Sequence, residues 1–224
     1  MEPKGIDAVV FDFDGLLADS EPLQIQAWQT FLARYDRELD DQLLNEMFGL
    51  RVRDSSRLVR DRLELPLSAE EVMQGRDEVF LELVATRLPL MSGARELIDH
   101  LRAETDLRLA LATSGHDRYI RAALPVTGLD GVFEVIVTGD DVARGKPDPE
   151  IYLAAARQLG VKPERCLALE DAPHGVRSAK AAGMVCVAIP NEMTAAIPGL
   201  GEADDVLNDL TEVITWLERR TAVS

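Results

Sequence analysis

Short apolar runs recur along the chain, rich in alanine and β-branched residues and bounded by polar ones. Ile6–Phe11 is broken only by Asp7 and stops at Asp12, and Leu107–Ala112, Val132–Val137, Cys166–Leu169 and Val185–Ile189 repeat the pattern. Runs of this length predict strands, and their continuous apolar character predicts burial on both faces. Between them, apolar residues recur at helical spacing over Ala94–Arg102, Asp117–Leu124, Pro149–Leu159, Gly175–Ala182 and Leu210–Arg219. Strands alternating with helices of this length predict right-handed crossovers and an α/β core, a parallel sheet with helices on both faces.

Residues 18–88 interrupt that alternation. They hold no convincing strand but four helical stretches, Glu21–Tyr35, Asp40–Met47, Asp54–Leu63 and Ala69–Arg87, and the α/β pattern resumes near Pro89. The expected organisation is a core of residues 1–17 and 89–224 with a helical domain, residues 18–88, inserted after the first strand. Ligands of open α/β sheets bind beyond the carboxyl ends of the strands. A helical insertion at that edge is therefore expected to act as a cap over a site. No internal repeat or low-complexity linker is visible in the sequence.

Charge narrows the partners. Twenty-four Lys and Arg against 40 Asp and Glu leave a net charge of −16, a field that repels a phosphate polymer, so no nucleic acid is expected. With 46% hydrophobic and 29% charged residues the composition is that of a globular chain, not a disordered one. Cys166 and Cys186 lie in apolar runs and read as buried thiols rather than as a metal cluster or a disulfide framework. The apolar stretches fall well short of the ~20 residues that a bilayer span needs, and the N-terminus lacks a basic segment followed by a long apolar one. A soluble, cytoplasmic, monomeric protein with no membrane partner is expected.

The predicted strand ends carry the chemistry. The first ends in Asp12-Phe13-Asp14-Gly15, the second in Thr113-Ser114-Gly115, and the fourth in Glu170-Asp171 ahead of Pro173 and Gly175; after the third comes Gly145-Lys146-Pro147-Asp148-Pro149. Taken singly, each has a bland reading: a solvated acid pair, a turn, a helix entry with proline in its first turn. Together, at successive strand ends, they place a nucleophile, a hydroxyl, a cation and an acid pair on one rim. Asp12, Asp14, Glu170 and Asp171 would repel one another unless neutralised, and a hard divalent cation with oxygen ligands removes that cost. Lys146 and the Thr113 hydroxyl can then hold a tetrahedral anion, and Gly15 and Gly115 let backbone N–H groups approach it.

These residues resemble the four motifs of the haloacid dehalogenase superfamily of phosphohydrolases, in the subgroup with a helical cap after the first strand. Asp12–Gly15 matches the Asp-x-Asp-Gly motif, Thr113 the Ser/Thr after an apolar strand, Lys146 the lysine of Gly-Lys-Pro-x-Pro, and Glu170, Asp171 and Gly175 the acid pair before a helix start. The match runs from Ile6 to about Pro190 and is most similar to β-phosphoglucomutase-like and pseudouridine-5′-phosphatase-like members. The resemblance implies a Rossmann-like core and a phosphatase acting on a small phosphorylated metabolite. It implies that Asp12 is the nucleophile, that Asp14 gives and then takes the proton, and that Thr113 and Lys146 bind the phosphoryl group, with Gly15, Ser114 and Gly115 around it. Mg²⁺ would be held by the Asp12 carboxylate, the Asp14 carbonyl and Asp171, with Glu170 a direct ligand or one layer further out.

Departures from the family pattern bear on the alternatives. Many members carry a His five residues past the acid of the first cap turn, whereas here Asp19 is followed at that spacing by Gln24. An amide shuttles no proton, which counts against hexose-phosphate mutase chemistry. Dehalogenation needs no second acid and so leaves Asp14 without a task, while a non-catalytic binding protein would not need all four motifs. Arg51, Arg53 and Arg57 of the insertion and His116 are candidate substrate contacts, against the simpler reading of a solvated helix face. His174 is expected to cap or pack at a helix start, His100 to face water, and Trp28 and Trp216 to lie in the core.

Overall fold

The computed structural model describes residues 5–47 and 52–221. Strand β1 (Ala8–Phe11) leads into helices α1 (Glu21–Ala33), α2 (Asp41–Met47), α3 (Val52–Arg62) and α4 (Ala69–Thr86). Alternation then sets in: α5 (Ala94–Glu104), β2 (Arg108–Ala112), α6 (Asp117–Thr127), β3 (Val135–Val137), α7 (Glu150–Leu159), β4 (Cys166–Glu170), α8 (Pro173–Ala181), β5 (Val185–Ala188), β6 (Asp205–Val206) and α9 (Glu212–Thr221). The described strands form one sheet, parallel throughout, in the order β3-β2-β1-β4-β5-β6. This is the α/β fold that the alternating pattern predicts. The sequence pattern misses β6, whose two residues are exposed at the sheet edge and too few to show a period.

Side-chain alternation explains what each strand contributes. Ala8 and Val10 of β1, Ala110 and Ala112 of β2, Cys166 and Ala168 of β4, and Cys186 and Ala188 of β5 form one buried cluster with Tyr152, Ala155 and Leu159 of α7 and Val176 and Ala179 of α8. Small side chains on this face admit close helices: α7 packs on β2 and β3, and α8 on β4 and β5. The larger Val9, Phe11, Leu109, Leu111, Leu167, Leu169 and Val187 occupy the alternate positions and are buried as well. Both cysteines are fully buried thiols.

Ser20–Leu88 forms one compact unit, and the segments up to Asp19 and from Pro89 form the other. In the helical unit α4 packs on α1 and α3, and the closeness of α1 and α4 depends on Gly75, where an added Cβ would lie 2.5 Å from Phe31 Cε2. Arg76 is buried beside it, its guanidinium 5.5 Å from the Trp28 ring centroid and 4.8 Å from that of Phe80. Helix α4 starts in a capping box: Glu71 N donates to Ser68 Oγ at 3.2 Å and Ser68 N to Glu71 Oε2 at 2.7 Å. Trp28 is core, as expected. Trp216 is not: it is half-buried, donates from Nε1 to Asp205 Oδ2 at 3.0 Å, and lies under the Arg220 guanidinium, 4.2 Å from its ring centroid. No described helix is long and apolar enough to cross a membrane.

Candidate active site

Sheet order decides which loops meet. The chain runs outward from β1 to β2 and β3, then returns to place β4 on the other side of β1, so the direction of winding reverses between β1 and β4. In doubly wound sheets that switch point opens the crevice that binds ligands. Phe11 pairs with Leu169 in register, and Asp12 N donates to Leu169 O at 3.0 Å, so Asp12 and Glu170 leave adjacent strand ends side by side. Thr113 leaves β2 on the other flank, its N donating to Val137 O at 3.0 Å.

Glu170 continues the parity of Cys166 and Ala168, which turns its side chain to the face covered by α7 and α8. There it lies against Gly175 of α8, where an added Cβ would stand 1.9 Å from the carboxyl carbon. Its Oε1 accepts from Lys146 Nζ at 2.6 Å and from the buried Tyr152 hydroxyl at 2.5 Å. Lys146 Nζ also donates to Asp12 Oδ1 at 2.7 Å and lies 5.1 Å from the Tyr152 ring centroid. Burial pulls the Lys146 ammonium down, but the charges of Asp12 and Glu170 outweigh it and hold the group above its ordinary value. Burial raises the Glu170 carboxyl to about 7 against the opposing pull of Lys146. The Tyr152 phenol is pushed well above its usual range, first by burial and then by the Glu170 charge.

Asp12, Glu170 and Asp171 are all buried and each offers a carboxylate oxygen, the three within 4.8 Å of one another. Three hard oxygen donors converging with one ammonium nearby fit a divalent cation of the Mg²⁺ or Ca²⁺ kind, and no soft ligand is among them. Asp171 is held from behind: Asn191 Nδ2 donates to its Oδ2 at 3.0 Å and to Gly15 O at 3.0 Å. Gly15 adopts φ +78°, and a Cβ there would meet Asp171 Oδ2 at 2.4 Å and Asn191 Nδ2 at 2.7 Å, so a larger residue in the turn after β1 would be strained and would displace that pair.

Asp14 stands apart from the acid trio. Its Oδ1 accepts from the Tyr119 hydroxyl at 2.6 Å, which ties it to the first turn of α6. Thr113 is fully buried and its Oγ1 accepts from Gly115 N at 3.0 Å, shaping the loop after β2. Gly115 lets the Tyr119 ring pass, since a Cβ would lie 2.8 Å from Tyr119 Cδ1. His116 is the N-cap of α6, its Nδ1 accepting from Tyr119 N at 3.0 Å. Ser114 is exposed, and its carbonyl backs onto Gly139.

Of the residues that the sequence singles out, Asp12, Lys146, Glu170 and Asp171 converge, with Gly15 behind Asp171. Asp14 follows Asp12 on the same turn after β1, and Thr113 occupies the neighbouring loop after β2. Arg51 lies outside the described residues. Arg53 and Arg57 are exposed on α3, and Arg57 is 3.7 Å from Asp54. His174 is exposed and α8 has no side-chain cap, so it neither caps nor packs. His100 is half-buried rather than fully turned to water. The sequence reading overlooks Tyr152, Tyr119 and Asn191. Tyr152 could have been noticed by its place at the start of the helix after Lys146. For the other two, single polar side chains without a spacing pattern, no sequence signal points to the site.

Fold and site together are those of an α/β hydrolytic enzyme built on acids at strand ends. A haloacid dehalogenase-like hydrolase family model matches residues 6–183, and the chain belongs to that family, as a phosphatase. It is 36% identical over 211 residues to a validoxylamine A 7′-phosphate phosphatase of Streptomyces hygroscopicus subsp. limoneus, covering 91% of this chain and 94% of the relative. It is 33% identical over 221 residues to a phosphorylated carbohydrates phosphatase of Thermotoga maritima, covering 93% and 100%. Among solved structures, CbbY from Rhodobacter sphaeroides in complex with phosphate superposes with a TM-score of 0.81 at 31% identity, over 93% of this chain and 96% of that one.

Proposed function

We propose that this phosphatase hydrolyses the phosphomonoester of a small sugar, polyol or nucleoside phosphate, with Mg²⁺ as cofactor and an aspartyl phosphate on Asp12 as intermediate. The observation that carries the reading is Lys146, shared at 2.7 and 2.6 Å between Asp12 and Glu170 in the buried acid trio. An ammonium that can leave its carboxylates for a phosphoryl oxygen, beside a carboxylate at the sheet's switch point, suits phosphoryl transfer, which asks mainly for alignment and neutralised charge. Asp12, Glu170 and Asp171 are the side chains that would hold the metal, which when bound neutralises charge on the transferring phosphoryl group.

The chain's own residues then divide the work. An Asp12 carboxylate oxygen forms the bond to phosphorus as the ester oxygen departs, and the Asp14 carboxyl gives that oxygen its proton. Water next attacks phosphorus and breaks the bond to Asp12, and Asp14 recovers a proton from that water, so one acid serves both halves. Lys146 and Thr113 hold the phosphoryl oxygens throughout. The helical unit acts as the cap, with Arg51, Arg53 and His116 as candidate contacts to the leaving alcohol. The substrates in the names of the relatives above, validoxylamine A 7′-phosphate and phosphorylated carbohydrates, support that class. Gln24, in the first turn of α1, offers no proton relay of the kind a mutase needs.

The test is inorganic phosphate release from a panel of phosphorylated metabolites and from p-nitrophenyl phosphate, with Mg²⁺ and after metal stripping. Metal-dependent release from sugar or polyol phosphates is expected. Full activity in metal-stripped buffer would refute the cofactor assignment.

A further inference from the structure

Tyr152 brings the one polar atom of an otherwise apolar helix face into the acid cluster. Its ring is fully buried in the apolar cluster that also holds Ala110, Ala112, Ala168 and Ala188, where a phenylalanine would pack as well. What the hydroxyl adds is its bond to Glu170 Oε1, the oxygen that also accepts from Lys146. A carboxylate oxygen has two in-plane acceptor positions, so two donors are as many as Oε1 can take in that plane. Gly175 closes a further side of the same carboxyl, since even a Cβ there would stand 1.9 Å from Oε1 and 2.0 Å from Oε2. Glu170 is thus gripped by α7, α8 and the Lys146 loop and has one oxygen left to offer.

We propose that Tyr152 is a positioning residue for the divalent cation: by occupying Oε1 it fixes the Glu170 carboxylate and leaves the other oxygen for a cation held with Asp12 and Asp171. The inference rests on the reading of these three acids as the metal site. The hydroxyl has a second consequence. Because it shares Oε1 with Lys146, it weakens the hold of Glu170 on the ammonium and leaves Lys146 available to Asp12 and the phosphoryl group. Hydrogen bonds that orient metal ligands typically account for about 10- to 100-fold in metal affinity.

The experiment titrates metal-stripped wild type, Tyr152→Phe, Glu170→Gln and the double variant with Mg²⁺ alone by calorimetry, at about pH 8 so that the carboxylates are ionised. Melting temperatures in EDTA are measured in parallel. Tyr152→Phe keeps the ring and should bind Mg²⁺ about tenfold or more weakly. In the Glu170→Gln background the same change should have no further effect. A Tyr152→Phe protein with wild-type Mg²⁺ affinity, whatever its melting temperature, overturns the inference, and so does an undiminished effect in the Glu170→Gln background. If wild type itself binds no Mg²⁺, the metal reading fails, and the inference with it.

Discussion

Replacing Gly175 by alanine sets two effects against each other. Gly175 lies within α8, where alanine is favoured over glycine by about 1 kcal/mol on helix propensity alone. Against that, the new Cβ would stand 1.9 Å from both the carboxyl carbon and Oε1 of Glu170, whereas non-bonded carbon atoms rest about 3.5 Å apart. Relief requires the carboxyl to retreat by roughly 1.5 Å, and Oε1 then loses its contacts to Lys146 at 2.6 Å and Tyr152 at 2.5 Å. Hydrogen bonds to a charged group contribute about 1.5–3 kcal/mol each, so losing two exceeds the propensity gain severalfold. A misplacement of about 1 Å at a catalytic centre costs about 100-fold in rate. Gly175→Ala is therefore expected to be less stable by urea unfolding and to lose about 100-fold in kcat/KM on p-nitrophenyl phosphate. A folded Gly175→Ala protein of unchanged stability and near-wild-type activity would refute the placement of Glu170.

Burial pushes the Glu170 carboxyl up from 4.5 to about 7 when no metal is bound. The folded state thus holds a proton that the unfolded state has lost, and this group's contribution to stability falls as pH rises through that window. Mg²⁺ must displace the proton, so the rise in melting temperature on adding Mg²⁺ should be larger at about pH 8 than at about pH 5.5; equal shifts would contradict it. Ser68→Ala removes the N-cap of α4 and should cost about 1 kcal/mol in urea unfolding, with no change meaning the capping box is idle. Arg51→Ala and Arg53→Ala should lower kcat/KM for the best metabolite about tenfold, and for p-nitrophenyl phosphate much less. Equal losses on both substrates, or none, would leave these arginines a solvated face.

The elements were legible because their signals are local. Ile6–Phe11 and Cys166–Leu169 announce strands whatever lies next to them, and the acids at their ends are visible in the same reading. What the sequence could not tell is that β4 lies beside β1 in the register Phe11↔Leu169, the fact that puts Asp12 against Glu170. Tyr152 was hidden for a related reason: its ring belongs to the core by every local criterion, and only the strand parity that turns Glu170 toward α7 reveals a task for its hydroxyl. Asn191 follows β5 in a stretch without periodicity, and its bonds to Asp171 and Gly15 span 20 and 176 residues of sequence. Trp216 lies less deep than its sequence predicts because an apolar helical face says nothing about how deep it lies at the edge of a sheet. β6 stayed unseen because two exposed residues carry no pattern.

The role given to Asp12 is decided by the rate at which the Asp12→Asn protein releases phosphate from p-nitrophenyl phosphate in the presence of Mg²⁺. The amide keeps the shape of the side chain but is a far poorer nucleophile, so the folded variant, checked by circular dichroism, should release none above background. A folded Asp12→Asn protein that releases phosphate at the wild-type rate would contradict an aspartyl phosphate on Asp12.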